Sequence, residues 1–361
     1  MTLGENLEAI KYGAFQDNQI ETLNIPASVK SIGDSAFENN LIKELTLGEN
    51  LESIGKSVFR SNKIETLNIP ASVKFIGDSA FYNNLIKELT LGESLESIGN
   101  DVDNYGIMEL TLRVSFESSG IGAFENNKIE TLNIPASVKS IGFSAFENNL
   151  IKELTLGENL EDIGKYAFDD NKIETLNIPA SVKSIGDSAF KNNQIKKLTL
   201  GESLENIRKG VFSCNKIENL NIPASVKSIH DSAFKNNQIK KLTLGESLVS
   251  IWENAFLENR IENLNIPASV KSIGDSAFKN NQIKKLTLGK NLESIGKGAF
   301  KDNKIERLQL PKSIKSIEAD AFTSNNIKKT IVPNEIENIE KDIFDKNVTI
   351  RKKSFFNRFG F

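Results

Sequence analysis

Apolar side chains return to the same places every 22 residues along this chain. In one unit they stand at Ile20, Leu23, Ile25, Val29, Ile32, Ala36 and Phe37, and nearly every later unit fills the same slots. The segment IETLNIP alternates apolar and polar residues, the period of a strand whose successive side chains point to opposite faces. The following SVKSIGDSAFKNN spaces its Val, Ile, Ala and Phe irregularly, which predicts a short strand or a single helical turn on the opposite side, not a long helix. A single unit of this kind cannot bury its apolar face alone, so the units are expected to stack as the coils of a repeat solenoid, with one parallel strand per coil.

The phenylalanine closing each SAF triplet measures the period: Phe15, Phe37, Phe59 and Phe81 are 22 apart, and so is every step from Phe124 to Phe344. The expected organisation is one solenoid over residues 1–350, about sixteen coils with an irregularity near 99–121, and a basic, aromatic tail over 351–361. The tail is expected to cover the last coil; contact with an anionic membrane or a partner is the alternative. From Phe81 to Phe124 is 43 residues, and a unit of the IPASVK type is missing there. Counting the stretch as a coil stacks Glu96 on Glu117 as like charges and puts Met108 where a charge is expected. A local kink or bulge is the expectation, with a binding site on the irregular coil as the alternative.

Charge patterning adds a two-unit rhythm, IPASVK copies alternating with LGESLE copies. One row reads Glu21, Lys43, Glu65, Lys87 and resumes with Glu130, Lys152, Glu174, Lys196; a second reads Lys30, Glu52, Lys74, Glu96 and resumes with Lys139, Glu161, Lys183, with Val249 its one lapse. Stacked coils place equivalent residues about 4.8 Å apart, so alternation replaces repulsion with weak attraction. These rows read as scaffold. A third row, Asn18, Asn40, Asn62, Asn84 and onward to Asn347, stands three residues after each phenylalanine. It reads as an internal ladder of amides satisfying backbone groups at a tight bend. Asn347 also heads a glycosylation sequon and is expected on the same ladder.

Composition narrows the functional classes. The net charge of -3 and pI of about 5.6 argue against nucleic acid as the partner, which needs a concentrated basic footprint. One cysteine, Cys214, and one histidine, His230, cannot build a disulfide framework or a Cys/His metal site, and no cofactor is expected. No apolar run is long enough to span a membrane. Met1 runs directly into the middle of a repeat, without the basic and apolar regions of a signal peptide.

The polar positions flanking the strand leucine decide what the strand face can bind. One column alternates Asn24, Thr46, Asn68, Thr90 and offers neutral hydrogen bonding. Its neighbour carries Glu44, Glu88, Glu109 and Glu153, then changes sign to Lys197, Asn219, Lys241, Asn263, Lys285, Arg307 and Lys329. Such polarity could steer an elongated partner; duplicated units that simply carried lysine along are the bland reading. A second candidate patch is Arg208, His230 and Trp252, which occupy the glycine slot in three successive units and are expected side by side. Surface drift is the competing reading. His230, Asp231 and Ser232 are adjacent in sequence and do not form a catalytic triad.

The pattern N-x-x-I-x-x-L-x-I-P-x-x-V-x-x-I-G-x-x-A-F-x-x-N, as in Asn171 to Asn193, resembles the BspA-like bacterial surface class of leucine-rich repeats over essentially the whole chain. The resemblance implies a leucine-rich-repeat superhelix with strands on its concave side. It also implies a secreted or surface-attached adhesin that binds a host protein or another cell-surface macromolecule. The alternative is an intracellular scaffold or effector. An enzyme is disfavoured, because no nucleophile, paired catalytic acid or metal cluster departs from the repeat.

Overall fold

The structure is a computed structural model that describes residues 1–99, 122–333 and 342–352. It is a parallel β-solenoid without a helix among the described residues. The chain divides into two compact units, Met1–Lys196 and Lys197–Phe361.

In the first unit, seven three-residue strands run from Thr22–Asn24 to Thr175–Asn177, each with its leucine turned inward and its flanking residues exposed. On another side of each coil, eight two-residue strands from Ala9–Ile10 to Ser184–Ile185 join into one continuous parallel sheet. The second unit repeats both columns. Its two-residue strands from Asn206–Ile207 to Ser316–Ile317 form a six-stranded sheet, and it ends in a parallel sheet of Leu308–Gln309, Lys329–Val332 and Thr349–Lys352. The irregularly spaced apolar segment is therefore a short strand followed by turns. A helical turn would have left its backbone unpaired across coils, whereas Phe37 N–H donates to the Val58 carbonyl and Phe59 N–H to the Ala80 carbonyl.

Each unit carries a spine of phenylalanine rings. Successive rings from Phe15 to Phe190, and again from Phe212 to Phe344, lie nearly parallel with centroids 5.1–5.6 Å apart. Beside the spine runs the asparagine ladder. Asn62 is buried, its Oδ1 accepts from Ile42 N–H at 3.0 Å, and its Nδ2 donates to the carbonyls of Phe37 and Phe59 at 3.0 and 3.1 Å. The same bonds recur as far as Asn325. The backbone must bend sharply on both sides of the phenylalanine, and it does so with left-handed residues two before and two after it, such as Ser35 (φ 55°) and Asn39 (φ 55°). Serine, asparagine, aspartate and glycine dominate those places because they tolerate that conformation. Asn18 and Asn347, expected on the ladder, are instead exposed.

The two-unit rhythm has a backbone cause besides charge. Where one coil has Pro26, the next has Gly48, and a Cβ on Gly48 would lie 2.4 Å from the Pro26 carbonyl oxygen. Gly92 meets Pro70, Gly157 meets Pro135, Gly245 meets Pro223 and Gly289 meets Pro267 in the same way. The three-residue strands of the first unit pair in twos, Thr22–Asn24 with Glu44–Thr46 and Thr66–Asn68 with Glu88–Thr90.

The interruption departs from expectation. Ser97 and Ile98 pair in register with Ser140 and Ile141, Phe81 stacks on Phe124 at 5.2 Å, and Lys128 N–H donates to the Ile86 carbonyl. The coils on either side of residues 100–121 thus stack directly on each other. Glu96 adjoins Lys139, whose N–H donates to the Glu96 carbonyl at 3.0 Å, so the alternation of unit types is unbroken between the described coils. Met108, Glu109 and Glu117 lie outside the described residues.

Candidate functional site: the exposed strand face

Every three-residue strand turns its first and third side chains to solvent, because the leucine between them is drawn into the core. Register then arranges those side chains in columns: Thr22 beside Glu44, Thr66 beside Glu88, Thr131 beside Glu153, and Asn219, Lys241, Asn263 and Lys285 in succession. Glu44, Glu88 and Glu153 are exposed on the first unit. Lys197, Asn219, Lys241, Asn263, Lys285, Arg307 and Lys329 are exposed on the second. Glu109, expected among the acidic residues, lies outside the described residues. The neutral column Asn24, Thr46, Asn68, Thr90 runs alongside, and in the second unit it ends at Gln309 beside Ile331, which is 57% exposed.

Electrostatics separates this column from its neighbour. In the residue just before each strand, cross-coil ion pairs join neighbours in the row: Glu65 with Lys87, Glu130 with Lys152 and Glu174 with Lys196, all at 2.9 Å. The hydrogen bond from Lys87 holds the Glu65 carboxyl below its usual range. The second scaffold row is paired likewise, as in Lys227 with Glu205 at 2.8 Å. Among the described residues, no ion pair holds Glu44, Glu88, Glu153, Lys197, Lys241 or Lys285. Each unit therefore shows solvent a column of one sign. The whole units agree with their columns: Met1–Lys196 has 17 basic and 29 acidic residues, and Lys197–Phe361 has 28 basic and 19 acidic, net -12 and +9.

Arg208, His230 and Trp252 take equivalent places after Ile207, Ile229 and Ile251, whose strands pair in register. His230 stacks on Trp252 with centroids 4.7 Å apart, and Trp252 donates its Nε1–H to Ser250 Oγ. Arg208 is exposed and Trp252 is 46% exposed. Glycines that hold this slot elsewhere, such as Gly33, Gly55 and Gly77, are not left-handed, but a Cβ on Gly77 would lie 2.8 Å from the Gly55 backbone, so a larger residue in this slot needs the adjoining coil to shift.

One cluster was missed in the sequence. The residue after the phenylalanine is Glu125, Glu147 and Asp169 in three successive coils. Burial raises all three carboxyls, with Asp169 pushed up to about 6 and the charge of Asp170 adding to it. Earlier in the same row Glu38 pairs with Arg60 at 3.7 Å and Arg60 lies over the Tyr82 ring. The available signal was three like charges in one slot, against the alternation kept elsewhere. Among the described residues no group of three metal-ligating side chains converges, and no helix is long and apolar enough to cross a membrane.

The profile of the BspA type leucine-rich repeat region (6 copies) matches residues 1–106, 74–195, 117–240 and 249–359. The chain belongs to the BspA-type leucine-rich repeat family. Solved structures similar to this chain include bacterial leucine-rich repeat proteins. A leucine-rich repeat protein from Bacteroides ovatus is 19% identical, with 96% of this chain and 88% of that one covered and a TM-score of 0.52. A leucine rich cell surface protein from Faecalibacterium prausnitzii is 19% identical, covering 98% and 86% with a TM-score of 0.43. The leucine-rich effector YopM from Yersinia pestis is 19% identical, covering 94% and 88% with a TM-score of 0.47. The comparison with curated proteins gave no match.

Proposed function

We propose that this BspA-type chain is a non-catalytic protein-binding module that works at the cell surface or as a secreted adhesin. It engages a host or cell-surface macromolecule through the exposed strand face. The observation that supports this reading is the column of unpaired, single-sign side chains in each unit, set beside rows whose charges are already neutralised. A scaffold needs the paired rows; it gains nothing from Lys197, Lys241 and Lys285, which hold no neighbour. Such a face selects a partner by electrostatic complementarity, which acts on encounter rate and orientation. The surface location rests on the family to which the chain belongs. Binding to a panel of matrix proteins and cell surfaces, with the native chain and with Lys197→Glu, Lys241→Glu and Lys285→Glu combined, tests it. Capture of a panel member that weakens with salt and with the reversal is expected. No capture, or capture indifferent to both, removes the reading.

A further inference from the structure

The two exposed columns match each other in spacing as well as sign. In the first unit glutamate occupies every second coil, at Glu44, Glu88 and Glu153, with Thr66 and Thr131 between them; the rhythm carries on from Glu88 to Thr131 because Ile98 and Ile141 pair in register on adjoining coils. In the second unit lysine occupies every second coil, at Lys197, Lys241 and Lys285, with Asn219 and Asn263 between them. Both series therefore repeat at two coil spacings, about 9.6 Å. Thr, Asn and the parallel column of Asn and Thr supply uncharged hydrogen-bonding groups between the charges.

We propose that the strand face of the first unit binds the strand face of the second unit in another copy of this chain. The partner is thus a second copy, selected because three carboxylates and three ammonium groups of equal period can meet as opposite charges. The net charges of -12 and +9 draw unlike units together and hold like units apart. An interface between two different patches can close as a pair or continue as a chain of copies, and either satisfies the inference. It uses the same face as the proposed function but needs no foreign partner, so the two fail separately.

Sedimentation velocity on the full chain tests this. At about 20 mM salt the weight-average sedimentation coefficient should rise with protein concentration, and at about 500 mM salt, where charges are screened within a few ångströms, the association constant should fall at least about tenfold. A lysine-reversed chain (Lys197→Glu, Lys241→Glu, Lys285→Glu) and a glutamate-reversed chain (Glu44→Lys, Glu88→Lys, Glu153→Lys) should each sediment as monomers, and their mixture should associate again. Should a reversed chain fail the circular-dichroism check for folding, the neutral set Lys197→Gln, Lys241→Gln and Lys285→Gln takes its place and should lose association in the same way. A native chain that stays monomeric at low salt, association unmoved by reversal or neutralisation, or a folded mixture that does not associate overturns the inference.

Discussion

Replacing Asn171 by alanine should cost more than any exposed substitution in the chain. Asn171 is buried; its Oδ1 accepts from Ile151 N–H at 3.0 Å, and its Nδ2 donates to the carbonyls of Phe146 at 2.9 Å and Phe168 at 3.3 Å. The phenylalanine carbonyls each keep a second donor, Asn149 for Phe146 and Asn193 for Phe168. The Ile151 N–H keeps none that could replace the amide. One orphaned buried N–H at roughly 1–3 kcal/mol and two lost bonds at about 1 kcal/mol each give roughly 3–5 kcal/mol. Urea unfolding measures the total, and hydrogen exchange at the Ile151 amide locates it, since a stacked repeat opens locally. Asn171→Asp keeps the acceptor and loses the donor, so it should be similarly destabilised at neutral pH. Asn18→Ala, exposed and with a single local bond to the Gln16 carbonyl, should change stability by no more than about 0.5 kcal/mol. A loss below about 1 kcal/mol for Asn171→Ala, with Ile151 exchange unchanged, would refute the ladder as a source of stability.

Other expectations follow from single contacts. Asp169, pushed up to about 6 from 3.8 by burial, keeps a proton in the folded state that the unfolded chain has released, so stability should fall as pH rises from about 4 to about 6 and then level off. Asp169→Asn should flatten that slope and gain about 1–2 kcal/mol above the window, after allowance for solvent screening, as read from urea melts across pH. Gly48→Ala places a Cβ 2.4 Å from backbone that cannot yield and should cost about 3 kcal/mol, whereas Gly4→Ala, with open space around it, should be near neutral. Glu258 is a charged residue held at φ 58°, where Asn236 and Asn280 stand in adjoining coils; Glu258→Asn should raise stability by about 0.5–1 kcal/mol in the same assay.

Much of the fold was legible because a solenoid repeats one local problem. The 22-residue spacing of Phe37 and its equivalents gave the stack, the strand at Leu23 and the ladder at Asn40, and the alternating Glu65 and Lys87 gave the paired rows. Three features were not legible, for physical reasons. The Pro26 and Gly48 contact depends on how closely two backbones approach, which a charge pattern does not encode. The joining of Ile98 to Ile141 depends on which coil offers the better register, and residues 101–121 carry enough of the repeat, as in their MELTL, to read as a coil themselves. The raised carboxyls of Glu125, Glu147 and Asp169 depend on burial next to the phenylalanine spine, which residue type does not disclose. For the candidate site, the columns and their sign change were visible at Glu44 and Lys197, but their freedom from ion pairs emerged only beside the bonded rows.

Stacking in register of the coils that flank residues 100–121 underlies the acidic column of the first unit, and a disulfide trap tests it most directly. With Cys214→Ser removing the native thiol, a chain carrying Ser97→Cys and Ser140→Cys should form an intramolecular disulfide on mild oxidation, because those positions face each other on adjacent coils. A chain carrying Ser97→Cys and Ser184→Cys, which stand three coils apart, should not. Failure of the first pair to close in the folded chain would contradict the register on which the acidic column of the first unit depends.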